Sequence, residues 1–176
     1  MPTLETMTQQ QPYEVLSKHR GFELRKYPAG IQIETVAKGD FVRAGNRGFG
    51  PLIGFISGNN KKGQSIAMTA PVIQESTDPK THLVRFVLPE NMKLAQVPES
   101  TDPGVKIIKV PMHLAAARRF SGSWDQARFE LEGKKLVSEL LTSGLETVGS
   151  LYFARFDPPW KPGFLKRNEV LIRVKG

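Results

Sequence analysis

The chain has 176 residues, with 25 Lys and Arg against 17 Asp and Glu, and it contains no cysteine. That length lets one domain bury about 70% of its unfolded surface without a covalent or metal staple. The missing thiol excludes disulfides, thiolate catalysis, iron–sulfur clusters and cysteine-ligated zinc, and it fits a reducing, cytoplasmic setting. The net charge of +8 favours anionic partners in general. Its basic residues come as scattered pairs such as Lys61/Lys62 and Arg118/Arg119, with no recognition helix, ribonucleoprotein motif or zinc finger, so nucleic acid is not expected.

The opening MPTLETMTQQQP has no apolar core, and no run of about 18 uncharged apolar residues occurs anywhere. Residues 1–12 read as a flexible tail on a soluble, unexported protein with no membrane span. Tyr13 to His19 and Phe22 to Tyr27 alternate as strands joined near Arg20-Gly21, and Ile31, Ile33, Thr35 and Ala37 continue with period two.

Gly39 to Ile73 is the most informative stretch. Phe41, Phe49, Leu52, Phe55 and Ile56, with small Ala44, Gly45 and Gly48 between them, fall near helical spacing, and Asp40 suits an N-cap. Local propensity opposes this helix, since each of Gly45, Gly48, Gly50 and Gly54 costs about 0.8–1 kcal/mol relative to Ala, and Pro51 costs more. Two readings offset that cost: tight packing on a sheet, or a shelf on which a flat ligand comes close to the backbone.

After the helix, Gly58 to Gly63 is a polar turn, and Ser65 to Gln74 and Thr81 to Pro89 form a strand pair. Met68 and Met112 read as core fillers inside strands. Beyond the connector at Glu99 to Gly104 the pattern repeats. Phe22 matches Val105, Lys26 matches Lys109, Pro28 matches Pro111, Gly39 matches Gly122 and Ala44 matches Ala127, each at a separation of 83 residues. The same offset places Ile66 to Gln74 against Gly149 to Asp157. A second helix is expected from a Ser123 cap through Leu131, Leu136 and Leu141 to a stop at Gly144, with Asn168 to Val174 as the last strand.

Residues 13–176 therefore read as one α+β domain of two pseudo-repeats, about 13–98 and 99–176, unless the matched spacing is a coincidence of strand and helix patterns. The stiff loop FDPPWKPGF, Phe156 to Phe164, either rims a pocket or lids the core.

Familiar catalytic signatures are missing. Gly58-x4-Gly63-Gln64-Ser65 has Gln64 where a phosphate loop needs Lys, and Ser57 lacks the nucleophile-elbow context. His19, His82 and His113 are scattered without metal-ligand spacing, so no metal site and no catalytic residue are assigned.

Three motifs carry a family resemblance: GDFVRAGNRGFGPLIGFISGNN from Gly39, QSIAMTAPV from Gln64, and FDPPWKPGFLKRNEV from Phe156. Through them the chain resembles the SOUL haem-binding proteins over about Tyr13 to Val174. The resemblance implies a duplicated, distorted antiparallel β-barrel with two main α-helices, an architecture similar to the effector-binding domains of gyrase-inhibitor-like regulators. It implies non-covalent binding of haem or another tetrapyrrole in a shallow apolar cleft at the first helix, with Asn46, Phe49, Leu52 and Ile53 against the ring and Arg43 or Arg47 meeting its carboxylates. Where some members carry a proposed iron-ligating His, this chain has Lys26, so no strong axial ligand is implied.

A plate pressing about 400 Å² of apolar surface gains about 10 kcal/mol gross, less at least about 4 kcal/mol for association. The resulting expectation is a weak, exchangeable carrier or buffer, acting as a monomer. Two alternatives remain: a general hydrophobic-effector or protein-interaction module, and an enzyme on the same scaffold using a carboxylate such as Glu169 as base.

Overall fold

The computed structural model describes residues 9–158 and 161–176. It has the expected α+β class, antiparallel strands with two α-helices, and the strands fall into two compact units.

The first unit comprises residues up to Gln11 and Gly30–Val110. It contains β1 (Gln9–Gln10), β4 (Gly30–Lys38), helix α1 (Phe41–Ile56), β5 (Thr69–Ala70), β6 (Val72–Asp78), β7 (Thr81–Val87) and β8 (Val105–Val110). Its antiparallel strands run in the order β6-β7-β4-β8. The second unit comprises Pro12–Ala29 and Pro111–Gly176. It holds β2 (Glu14–His19), β3 (Phe22–Tyr27), β9 (His113–Ser121), helix α2 (Gln126–Ser143), β10 (Thr147–Arg155) and β11 (Arg167–Val174), in the order β2-β3-β9-β11-β10. Within each unit the strands form an open ladder and not a closed barrel.

The units do not follow the two halves of the sequence. β3 and β8 occupy matching places 83 residues apart, yet β3 pairs with β9 and β8 pairs with β4. β4 and β9 keep the same 83-residue offset from end to end, and each leads into a glycine at positive φ, Gly39 at 124° and Gly122 at 132°. The offset is lost after the helices. Twelve residues separate Ile56 from Thr69, but only three separate Ser143 from Thr147, so β10 starts and ends earlier than the offset places it.

Helix α1 forms because its inward stripe is well filled. Phe41, Ala44, Gly45, Gly48, Leu52, Phe55 and Ile56 are buried, and the Asp40 carboxylate accepts from the Arg43 N–H at 2.9 Å. The stripe packs over Ile33, Ala37, Val84 and Phe86 of β4 and β7. Each large side chain enclosed there contributes about 1.5–3 kcal/mol, which offsets the weak helical preference of the glycines.

Several expected boundaries shift. The second helix is capped by Asp125, which accepts from the Ala127 N–H at 2.9 Å, not by Ser123. Residues 65–68 are not strand: Met68 precedes β5 and packs on the core from outside it. Met112 lies between strands and is 53% exposed, so it is no core filler. Of the expected tail, residues 1–8 lie outside the described set, while Gln9 and Gln10 pair in parallel with Thr69 and Ala70. Pro159 and Trp160 of the aromatic loop are likewise outside it.

Candidate functional site

At 3.6 residues per turn, Arg43, Asn46, Arg47, Gly50, Ile53 and Gly54 share the face of α1 opposite its buried stripe. Arg43, Asn46, Arg47 and Gly50 are exposed, and Ile53 is half-buried against the core. The face is divided along its length. Arg43 and Arg47 stand one turn apart on one side, while Phe49 and Ile53 stand one turn apart on the other.

The glycines of this helix do two different jobs. A Cβ added at Gly48 would lie 2.5 Å from Val84 Cγ2, so that glycine exists to let the helix rest on β7. A Cβ added at Gly50 would meet nothing within 4 Å, and at Gly54 only the Asn59 side chain, at 3.8 Å or more. Packing explains Gly48. Gly50 precedes Pro51, whose ring disfavours a helical residue with a Cβ before it, and its missing side chain leaves bare backbone on the outward face.

The sequence-derived residues are therefore brought together with one correction. Phe49 is 37% exposed and meets Phe86 edge-on at 5.3 Å between ring centres. Leu52, expected on the same surface, is fully enclosed and belongs to the core beneath it. It points the wrong way because it is two residues from Gly50, about 200° round the helix. Arg47 donates to the Lys38 carbonyl at 2.9 Å, and Arg43 lies 3.5 Å from Asp40, both at the surface.

The turn after α1 is fixed by one side chain. Buried Asn60 donates to the carbonyls of Phe55 at 2.9 Å and Gln64 at 2.8 Å, and its oxygen accepts from the N–H groups of Lys62 and Gln64. This satisfies a carbonyl that the helix end leaves without an intrahelical donor.

In the second unit, local motif reading misses a buried ionic cluster. Arg25 donates to both oxygens of Glu169, each at 2.7 Å, and also to Glu23 at 3.0 Å and the Tyr27 hydroxyl at 3.1 Å. Arg167 adds a bond to Glu169 at 3.1 Å and one to the Tyr13 hydroxyl at 3.2 Å. Burial alone would lower the Arg25 pKa, but the Glu169 bonds outweigh it and hold the guanidinium charged; burial pushes the Tyr27 phenol up. Both oxygens of Glu169 are thus engaged, the arrangement of an ion-pair anchor and not of a free base. Arg25 and Glu169 are 144 residues apart, beyond any local motif. The available signal was the i, i+2 spacing of Glu23, Arg25 and Tyr27 and of Arg167 and Glu169, which aligns each set on one strand face.

The histidines take local roles. His82 is buried between the Ser76 hydroxyl at 2.8 Å and the Gly39 carbonyl at 3.1 Å, so Nε2 carries the proton that the carbonyl accepts. His113 stacks on Tyr27, and burial lowers its pKa. Among the described residues no group of three or more His, Asp or Glu could hold a metal ion, and no helix is long and apolar enough to cross a membrane.

The SOUL heme-binding protein family matches residues 8–173. Heme-binding protein 1 of Xenopus laevis is 29% identical over 156 residues, covering 85% of this chain and 81% of that protein. The fold is similar to that of the EcmrR C-terminal domain, with a TM-score of 0.68 at 13% identity over 93% of this chain and 98% of that one. It is also similar to that of a hydrolase from Listeria innocua, with a TM-score of 0.60 at 12% identity over 91% and 94% of the two chains. At those identities the structural likeness concerns the fold alone. With nearly its whole length matched, the chain belongs to the SOUL heme-binding protein family.

Proposed function

We propose that this protein binds haem or a related tetrapyrrole non-covalently on the outward face of α1, as a monomeric cytoplasmic carrier or buffer. The observation that carries the reading is the unfilled space over Gly50, where a Cβ would touch nothing within 4 Å, beside half-exposed Phe49 and Ile53. A flat ring reaches the helix backbone there, and its apolar edge covers the two side chains. Arg43 and Arg47, on the other side of the same face, answer its carboxylates. Asn46 lies between the two groups and offers a polar contact. Leu52 takes no part in contact and holds the helix in place from below.

No histidine or cysteine lies on α1, so this face supplies no strong axial ligand to iron. The reading is therefore of exchangeable binding, micromolar or weaker, driven by apolar contact and charge. The family and the curated relative's name support the ligand class. The chain is further proposed to act as a single duplicated domain.

Titration with hemin, followed by absorbance, tests the proposal. A saturable shift of the Soret band is expected for the wild type. A shift that survives unchanged when both Arg43 and Arg47 become Glu and Ile53 becomes Glu would place the ligand elsewhere.

A further inference from the structure

The second unit carries a cavity built entirely from its own elements, and it is independent of α1. The β2–β3 hairpin turns at Gly21, where φ is 83°. β3 then pairs with β9, placing Glu23 opposite Ala117, and β9 pairs with β11, placing Arg119 opposite Glu169. Paired residues share a sheet face, so Glu23, Arg25, Ala117, Arg119, Arg167 and Glu169 face the same way. Ala117 offers only a methyl group, and a cavity of about 360 Å³ opens over it.

Charge and aromatic groups line this cavity unevenly. Glu23 and Glu169 neutralise Arg25 and Arg167, and Glu132 accepts from Arg118 at 2.7 Å. Lys18 and Arg119 also line it, and no hydrogen bond or ion pair among the described residues engages either side chain. Lys18 stands opposite Glu23 and Arg119 opposite Glu169, but both carboxylates are already bonded to Arg25 and Arg167, so the lining keeps a net excess of positive charge. Aromatic groups also line it: the exposed His19 ring, backed by buried Phe22 at 4.6 Å, and Tyr13, one face of which is covered by the Arg25 guanidinium 4.1 Å from its centre.

We propose that this cavity binds a small phosphate monoester with an aromatic body. The two cations that form no ion pair match a phosphate dianion, whereas a single carboxylate would engage only one of them. The volume suits a molecule of that size, and the exposed His19 ring supplies stacking surface for its ring.

The test is calorimetric titration of the full chain with phenyl phosphate, inorganic phosphate and phenol. Phenyl phosphate is expected to saturate one site, with inorganic phosphate and phenol each about tenfold weaker or worse. Raising the salt concentration should weaken it further. Lys18→Gln with Arg119→Gln should lower its affinity by about tenfold or more, with circular dichroism unchanged because both side chains are exposed and no like charge is set opposite Glu23 or Glu169. The same variant should keep the hemin titration of the wild type, which separates this site from the face of α1.

Phenyl phosphate that fails to saturate, that binds no better than phenol, or that binds the double variant as well as the wild type would overturn the proposal. Loss of hemin binding in that variant would overturn the independence of the two sites.

Discussion

The missing side chain of Gly48 is filled by Val84: a Cβ built on the glycine would lie 2.5 Å from Val84 Cγ2 and 2.7 Å from its Cβ. The helix backbone therefore rests directly on β7. Gly48→Ala is expected to lower stability, because overpacking costs about 1–3 kcal/mol and Ala regains only about 0.8–1 kcal/mol of helical preference. Repeating it in a Val84→Ala background should remove only part of that penalty in a double-mutant cycle read by urea denaturation, because the 2.7 Å contact with the Cβ at position 84 remains. Gly50→Ala meets no tertiary neighbour, but Pro51 follows it and disfavours a helical residue that carries a Cβ, so the helical gain of about 0.8–1 kcal/mol is offset and the change should cost less than Gly48→Ala.

Asn60 should prove sensitive despite its place in a surface turn. Asn60→Asp keeps the shape but sets carboxylate oxygens against the Phe55 and Gln64 carbonyls that the amide now serves. The Phe55 carbonyl keeps the Gly58 N–H at 3.3 Å, while the Gln64 carbonyl loses the amide donor, a loss of about 1–3 kcal/mol for a buried group. Thermal melting should show a loss of several degrees, larger than for substitution of exposed Lys62 by Ala.

Removing one partner from the Arg25–Glu169 pair leaves the other charge buried. Arg25→Met is expected to destabilise by about 3–5 kcal/mol. Arg25→Met with Glu169→Gln should recover part of that loss, since the single variant leaves the buried carboxylate with only the 3.1 Å bond from Arg167. Equal stability of single and double variants would show that the pair contributes through packing alone.

Acid stability should report on Glu132. Burial raises its pKa, but hydrogen bonds and charge from Arg118 and Lys135 outweigh this and hold it below the usual carboxylate range. A lowered folded-state value means stabilisation that is complete above the unfolded value of about 4.3 and is lost as pH falls through the lowered one. Glu132→Gln should therefore destabilise at pH 7, and the gap to wild type should narrow below about pH 4. Urea midpoints at the two pH values measure it.

The elements themselves were legible where periodicity was strong. The buried stripe of α1, its Asp40 cap and the last strand lie where the sequence places them, because each shows in a pattern of residue types within a few positions. The exchange of β3 and β8 between units was not legible, since strand alternation shows which face is buried and not which strand is adjacent. Leu52 shows the same gap at the site. Apolar character identified it as important, but only the helix's rotation shows that it serves the core. The ionic cluster on β3 and β11 escaped because its members meet only after the chain has closed a loop of 144 residues.

The most direct test of the proposed binding face compares hemin titrations of the wild type and of Ile53→Glu, with far-ultraviolet circular dichroism on both. A shifted, saturable Soret band for the wild type, lost in the variant while its helical signal persists, is the predicted result. A wild type that leaves the Soret band unshifted, or a folded variant that titrates as the wild type does, would contradict it.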